Sequence, residues 1–416
     1  MGSRTFLLGA GFSKAFHPGM PLMRELGADV CGSMGRPLSD LDPFGGDVER
    51  WLSHLAEDEP WLDEAQTLSN HGEFLRVSEA VAASVSRRMG DGVQDAELRE
   101  LLDRFVLEAR VARSPILTFN YDLLIEEVLV RWRTGERGSD LYPMPMTERY
   151  PVGVSRWLSA APARRPALSL LKLHGSLNWM YPRDGDAGAV TWIPTETESP
   201  KRDEQTQQRW RHLYDDLRPL IVPPASTKSR FYGGAAMRAL WREAAAVLHE
   251  TEDLVVIGYS FPKTDLQVST MVATTLPAGA RIHVVDIDES GTLAERIREA
   301  CPMQTVLDES SPRGALDWVE QVCGPIARYG ESYGESSRHL AIQAAGQRVT
   351  ADAPRESSEL TPSSQSVGWF VQRYWPSAMA TERPLDDESW YSASQAYIPK
   401  NEWLACPNPL EGLADQ

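Results

Sequence analysis

The strongest constraint on the fold is the sequence RTFLLGAGFS at residues 4–13. An apolar run leads directly into a Gly-Ala-Gly turn, and a hydroxyl residue and a helical pattern follow. Such a strand–glycine–helix unit places backbone N–H groups at the start of a helix, where they can hold a phosphate. The same turn is also compatible with a tight connection that binds nothing. The rest of the chain must therefore supply the other features of a phosphate-binding fold.

Composition and charge exclude several classes of protein. The 416 residues are 24 % charged and 42 % hydrophobic, a globular composition. The 42 basic and 59 acidic residues give a net charge of −17, which repels nucleic-acid phosphates, so we expect no direct nucleic-acid partner. No apolar stretch reaches the roughly 18–20 residues that cross a bilayer, and the N-terminus lacks the pattern of a secretory signal. We therefore expect a cytoplasmic protein with no membrane partner.

The cysteines indicate reduced thiols and no metal site. None of the four forms a Cys-x-x-Cys pair, so the signature of a zinc ribbon is missing. The four are Cys31, Cys301, Cys323 and Cys406.

Alternating apolar runs and helical patterns predict an α/β fold with a Rossmann-like, doubly wound parallel sheet. Buried strands are predicted at residues 5–8, 115–119, 254–258 and 281–287, with further strands at 168–173 and 220–222. Apolar residues at spacings of three and four predict helices at residues 20–30, 121–132 and 237–249.

A change in composition near residue 330 predicts an α/β domain at residues 1–330, a linker at 331–368 and an aromatic-rich tail at 369–416. Residues 40–112 predict a helical insertion, with Asp47 and Asp95 as N-caps. Residues 182–215 predict a polar insertion that leads into a helix at 205–217. The linker is rich in Ser, Gly, Glu and Pro. The tail is expected to dock on its own domain or on a second subunit.

Polar residues follow one predicted strand at residues 116–122, ILTFNYD. Thr118, Asn120 and Asp122 emerge at the carboxyl end of this strand, where open α/β sheets bind ligands. An asparagine there can hydrogen-bond a ribose hydroxyl or hold a water. The alternatives are that Asn120 only forms a turn and that Asp122 only caps a helix.

Two further segments end in candidate site residues. In LLKLHGSLNW, residues 170–179, His174 follows an apolar run and can act as a general base, or it can be structural. In VVIGYSFPKTD, residues 255–265, a strand leads to Gly258 and Ser260. The next strand ends at Asp286 and Asp288, whose carboxylates can accept hydrogen bonds from ribose hydroxyls. Ser260 can instead cap a helix, and Asp288 can lie in a solvated turn.

These segments, taken in order, resemble the sirtuin-like superfamily in its divergent bacterial, NAD-consuming branch. The matching pieces are residues 9–13 with 19–21, 118–122, 172–176, 258–260 and the strand end at Asp286, and they cover residues 4 to 310. The resemblance implies a sirtuin-type Rossmann fold with NAD as substrate. It implies that the turn with Gly9, Ala10, Gly11 and Ser13 holds the pyrophosphate. Asn120 and Asp122, in the motif that begins at Thr118, would contact the nicotinamide ribose, and His174 would act as general base. Ser260, in the motif that begins at Gly258, and Asp286 would contact the adenosine.

The chain departs from deacylating sirtuins in two respects. It lacks their zinc module with four cysteines in two close pairs, and Phe119 replaces the Gln before the catalytic Asn. The resemblance therefore implies water as acceptor and an NAD hydrolase that yields nicotinamide and ADP-ribose. Alternatives are a protein deacylase, an ADP-ribosyltransferase or a non-catalytic regulator that binds NAD or ADP-ribose.

The family likeness also implies a biological setting. Bacterial relatives deplete NAD in anti-phage defence and are often controlled by oligomerisation, so we expect a homo-oligomer. Control by a partner ATPase, an Argonaute-like protein or a phage-derived activator is a further expectation.

Overall fold

The computed structural model describes residues 3–90, 92–132, 134, 138–148, 167–182, 190–193, 216–222, 234–262 and 265–326. Apart from residue 134, they belong to one compact unit. The predicted linker at 331–368 and tail at 369–416 lie outside these residues, as does most of the polar insertion at 182–215. The helix predicted at 205–217 also lies outside them up to residue 215, and Leu217 already begins a strand.

The described residues form ten strands and ten α-helices. The strands are β1 Arg4–Leu8, β2 Ile116–Thr118, β3 Thr147–Glu148, β4 Leu170–Lys172, β5 Gly175–Pro182, β6 Thr191–Trp192, β7 Leu217–Ile221, β8 Asp253–Ile257, β9 Arg281–Val285 and β10 Thr305–Asp308. The helices are α1 Ala10–Phe16, α2 Met23–Ser33, α3 Val48–Ala56, α4 Glu64–Met89, α5 Ala96–Val111, α6 Leu124–Arg131, α7 Ala235–His249, α8 Leu266–Thr275, α9 Thr292–Ala300 and α10 Ala315–Val322.

Six of these strands make one parallel sheet in the order β10-β9-β8-β1-β2-β4. From β1 the chain proceeds through β2 to β4 on one side, and it then returns through β8 and β9 to β10 on the other. This is the doubly wound order 3-2-1-4-5-6, in which ligands bind where the strand order reverses. The predicted fold class is therefore confirmed, and the reversal lies between β1 and β8.

A second sheet has the order β3-β6-β5-β7. The strand predicted at 220–222 lies here as β7, antiparallel to β5, and not in the parallel sheet. The chain leaves the parallel sheet after β4 and enters the second sheet at Gly175. Its φ of +91° favours glycine, and a Cβ added there would lie 2.0 Å from the Leu220 carbonyl oxygen. The apolar run at 220–222 could not show which sheet it would join.

Three of the five α-helices between β1 and β2 lie in the predicted helical insertion at 40–112. Asp47 accepts hydrogen bonds from the backbone N–H of Glu49 at 2.8 Å and caps α3, as predicted. Asp95 does the same for α5, accepting from Glu97 at 2.9 Å. The central helix α4 begins at Glu64, although its polar first turns carry no apolar periodicity.

An aromatic cluster packs α1, α5 and α10 against the parallel sheet. Phe105 of α5 lies 4.9 Å from both Phe6 of β1 and Phe12 of α1, measured between ring centroids. Trp318 of α10 lies 5.7 Å from Phe6. Burial of these rings fixes α1, and with it the turn that follows β1, against the sheet. Among the described helices, none is long and apolar enough to cross a membrane.

Candidate functional site

Two turns meet at the switch point of the parallel sheet, and glycine makes their contact possible. A Cβ on Gly9 would lie 2.6 Å from the Gly258 carbonyl oxygen, and one on Gly258 would lie 2.2 Å from the Phe12 nitrogen. The N–H of Gly9 donates to Ile257 O at 3.1 Å, and that of Gly11 to Gly258 O at 2.9 Å. The glycines thus first serve to seat the β1 turn against the β8 turn, and both amides are used within the protein.

A row of hydrogen bonds joins the β1 turn to the turn after β2. Asn120 Nδ2 donates to Ser13 Oγ at 2.8 Å and to the Gly9 carbonyl oxygen at 2.8 Å. Ser13 Oγ donates to Asp122 Oδ2 at 2.6 Å. An ionised carboxylate only accepts hydrogen bonds, so Asp122 fixes the direction of the whole row. The row commits the Asn120 amide nitrogen and leaves Asn120 Oδ1 as the atom able to accept a hydrogen bond from a ligand or a water.

Asp122 and Thr118 also support the local backbone. Asp122 is buried, and its Oδ1 accepts the N–H of Leu124 at 3.2 Å at the start of α6. The N-cap of α6 is Leu123, so Asp122 lies one residue before the cap and binds the first N–H of the helix in addition to its contact with Ser13. The Thr118 hydroxyl donates to Leu8 O at 3.3 Å and accepts the N–H of Asn120 at 3.1 Å. Thr118 thus ties β2 to β1 and orients the turn.

His174 lies directly beyond β4 and is 2 % exposed. Its imidazole ring packs on Phe119 with the centroids 4.8 Å apart, and Phe119 packs on Tyr259 at 4.5 Å. The Tyr259 hydroxyl donates to Asp265 Oδ2 at 2.9 Å. These three rings, called here the aromatic row, connect the ends of β4, β2 and β8. Between β2 and β8 lies β1, which is followed by Gly9, a residue with no side chain to intrude.

Two buried charged residues that no sequence motif marked as site residues, Lys172 and Glu126, complete the cluster. Lys172 ends β4, and its ammonium group donates to Glu126 Oε1 at 2.9 Å and to the carbonyl oxygen of Asp122. Both side chains, with Ser13 and Asp122, line a small pocket. A lysine inside the apolar run LLKL was the signal available in the sequence.

The predicted adenosine-side residues stand apart from this cluster in the described part of the chain. Ser260 is exposed, and its carbonyl oxygen accepts a 2.6 Å hydrogen bond from Arg296. Asp286 directly follows β9 and accepts the N–H of Ile287 at 2.7 Å. Asp288 is exposed and hydrogen-bonds the Ser290 hydroxyl at 2.8 Å, which matches the solvated-turn alternative. The geometry thus assembles Ser13, Thr118, Asn120 and Asp122, while Ser260 and Asp286 remain predictions.

One carboxyl group near the site has an unusual proton affinity. Burial raises the pKa of Glu127 on α6 to about 7; the nearby charges of Asp122 and Glu126 add to this, and Arg131 opposes it. Among the described residues, no group of three His, Cys, Asp or Glu side chains could hold a metal ion. Cys31, Cys301 and Cys323 are buried free thiols, and Cys406 lies outside the described residues.

No protein-family model matches the chain. No curated protein matches it either. Among solved structures, a Sir2 homologue in complex with NAD is 15 % identical, covering 79 % of this chain and 90 % of its own, with a TM-score of 0.38. A mutant Sir2 homologue in complex with ADP-ribose is 15 % identical, covering 80 % and 93 %, with a TM-score of 0.39. Sir2Tm bound to a propionylated peptide is 12 % identical, covering 77 % and 91 %, with a TM-score of 0.32. At these values, function has to be argued from the residues of this chain.

Proposed function

We propose that this chain binds NAD in the crevice between β1 and β8 and hydrolyses it to nicotinamide and ADP-ribose. The observation that carries the proposal is the hydrogen-bonded row of Asn120, Ser13 and Asp122 at the carboxyl edge of a 3-2-1-4-5-6 sheet. Dinucleotides bind to sheets of this order at this edge. The sequence resemblance to NAD-consuming sirtuin-like proteins supports NAD as the dinucleotide.

The charge of the site suits the cationic end of NAD. The ammonium of Lys172 and the carboxylate of Glu126 form an ion pair at 2.9 Å and offset each other. Asp122 therefore supplies the remaining negative charge of the pocket wall. The nicotinamide ring of NAD is positively charged, and the sugar gains positive charge as the ring leaves. A buried carboxylate close to this charge stabilises the transition state more than it would in water.

The reaction breaks the bond between the anomeric carbon and the nicotinamide nitrogen. The electron pair of this bond leaves with nicotinamide, which becomes neutral, and the oxygen of a water forms the new bond to carbon. One proton is released from that water. In our proposal, Asn120 Oδ1 orients the water or a ribose hydroxyl, and His174 assists by hydrogen bonding or by taking the proton.

Incubation of the purified full-length protein with NAD tests this proposal. We expect nicotinamide and ADP-ribose to appear in equal amounts, and N120A and H174A each to lower the rate at least a hundredfold. S33A, which removes the hydroxyl of an exposed serine at the end of helix α2, serves as control and keeps the wild-type rate. Full activity in a protein carrying both N120A and H174A would refute the assignment. Turnover that requires an acyl-lysine peptide, or label transferred to protein, would favour deacylation or ADP-ribosyl transfer instead.

We further propose that the reaction depletes cytoplasmic NAD during phage infection. This role is supported by the sequence resemblance to the bacterial branch that acts in defence. Cells expressing the wild-type chain, with its neighbouring genes, should lose NAD after infection, and cells expressing N120A should keep it. Equal NAD levels in the two strains would argue against the role.

The tail at 369–416 and the helical insertion at 40–112 are our candidates for contacts with a second subunit or a regulatory protein. Eight large aromatic residues in a short tail favour docking. Light scattering of the full-length protein, with the tail tryptophans intact or replaced by alanine, tests for assembly. An unchanged mass would remove the tail from consideration.

A further inference from the structure

Lys172 is buried in a place where lysine is rare. It is the last residue of β4, pairs in register with Thr118 and is 1 % exposed. Its ammonium group donates to the Asp122 carbonyl oxygen and to Glu126 Oε1 at 2.9 Å, with the Tyr121 carbonyl oxygen 3.5 Å away. An ammonium group has three donors and no acceptor, so these three oxygens account for its hydrogen-bonding capacity.

Glu126 balances the charge of Lys172 from the first turn of α6. It is 4 % exposed, and its Oε1 also accepts the Tyr142 hydroxyl at 2.7 Å. That hydroxyl in turn accepts from Asn178 Nδ2 at 3.1 Å. A buried ion pair generally stabilises a fold no more than apolar side chains of the same volume, because desolvation offsets the attraction. The pair is therefore better explained by what its hydrogen bonds hold in place.

The ammonium group holds the turn that carries the two polar site residues. The carbonyl oxygen of Asp122 is bound by Lys172, while its carboxylate is bound by Ser13 at 2.6 Å and by the N–H of Leu124 at 3.2 Å. Asp122 is thus fixed at its backbone and at its side chain by groups from three elements. Loss of the backbone contact would let the carboxylate rotate away from Ser13, and Asn120 would lose its alignment with it.

We propose that Lys172 is a positioning residue for NAD hydrolysis. It fixes the turn from Asn120 to Asp122, and Glu126 neutralises it so that the pocket keeps the negative charge of Asp122. The catalytic part of this inference rests on the proposed function, whereas the part about the turn does not. Displacement of a reacting group by about 1 Å can cost a hundredfold in rate.

Three variants separate positioning from stability. K172M leaves the Glu126 carboxylate buried without its partner, so we expect it to lower both the melting temperature and the rate. E126Q keeps an acceptor for both Lys172 and Tyr142 but leaves the buried ammonium charge unbalanced beside Asp122, so we expect it to lower both the melting temperature and the rate. K172M/E126Q removes both charges, so it should regain most of the melting temperature while its kcat stays at least tenfold below wild type. The matched control is R131M/D103N, which neutralises another ion pair of α6 away from the turn.

The outcomes decide between the two roles. Recovery of kcat together with the melting temperature in K172M/E126Q would show that Lys172 is only structural, and would overturn the proposal. If K172M/E126Q fails to fold, K172Q is measured in its place, because its side chain is a shorter, neutral donor. Its kcat is likewise expected to lie at least tenfold below wild type at a melting temperature close to that of wild type. If the wild type releases no nicotinamide, the proposed function fails, and the turn is tested alone. Hydrogen exchange at the amides of residues 120–124 must then rise in K172M/E126Q and not in the control; unchanged exchange would overturn the positioning role.

Discussion

The hydroxyl of Ser13 donates a 2.6 Å hydrogen bond to Oδ2 of Asp122, across 109 residues of sequence. One residue lies in the first helix after β1, and the other precedes the helix after β2. This bond joins the two turns that border the proposed NAD site on one side. The position of Asp122 therefore depends on residues far from it in the sequence.

Removal of the Ser13 hydroxyl should affect both stability and rate. S13A leaves Asp122 Oδ2 and Asn120 Nδ2 each without one partner, and an unsatisfied buried group costs about 1–3 kcal/mol. We expect the free energy of unfolding to fall by about that amount. The rate of NAD hydrolysis should fall at least tenfold, measured below the melting temperature. A variant with lower stability but an unchanged rate would separate Ser13 from the chemistry.

Replacement of glycine by alanine should lower the stability of the fold at the switch point and raise it at a glycine in an open helical position. G258A places a Cβ 2.2 Å from the Phe12 nitrogen at a φ of +61°, so it combines a backbone clash with strain. We expect it to destabilise the fold by more than about 2 kcal/mol. G32A lies in helix α2 with no atom within 4 Å of the new Cβ, and it should stabilise by about 0.5–1 kcal/mol. Urea unfolding of both variants measures the difference.

Glu127 should make stability depend on pH near neutrality. Its pKa is raised to about 7 from an ordinary value of 4.5, so the folded state binds a proton that the unfolded chain has released between these values. The contribution of Glu127 to the free energy of unfolding is therefore zero below pH 4.5. It becomes destabilising as the pH rises and reaches its full size, at most about 3 kcal/mol, above pH 7.

E127Q removes this titration. Wild type should lose melting temperature between pH 5 and pH 8, and E127Q should lose less. E100Q, at an exposed glutamate of α5, provides the comparison. Parallel curves for wild type and E127Q would contradict the role of this carboxyl group.

The aromatic row should tolerate changes that keep a ring. Phe119 contacts both His174 and Tyr259, and such ring pairs contribute about 0.5–1.5 kcal/mol beyond the area that they bury. F119L should therefore lower stability by about 1 kcal/mol. It should also reduce NAD hydrolysis by releasing the imidazole of His174. F119Y retains the ring and should stay closer to wild type; equal rates for the two variants would dismiss the row as a support for His174.

The sequence predicted the parts of the fold that depend on local patterns. Buried strands such as β1 and β8 were evident because each contains an uninterrupted apolar run, at residues 6–8 and 254–257. Asp47 and Asp95 marked helix starts by their chemistry. The edge strand β10 was missed because its residues are mostly exposed. The local pattern does not show that β7 joins a second sheet, because this depends on its antiparallel pairing with β5, which begins at Gly175.

The site residues also divide into those that a local sequence pattern predicts and those whose role depends on the folded arrangement. Asn120 and Asp122 were predicted because polar residues after an apolar run mark a strand end. Their link through Ser13 could be seen only once the strand order was known. Lys172 was overlooked because a lysine in a buried strand has a role only through its partners, and both Glu126 and the Asp122 carbonyl oxygen are about fifty residues away in sequence.

The strand order also determines when the site can form. The central strand β1 is synthesised before both of its neighbours, and one of them, β8, is supplied only at Asp253–Ile257. Pairing of segments this far apart is slow, because a long loop must close before the contacts form. Half of the crevice is therefore missing from any chain still emerging from the ribosome before residue 258. The proposed NAD site would thus stay incomplete until β8 has been synthesised.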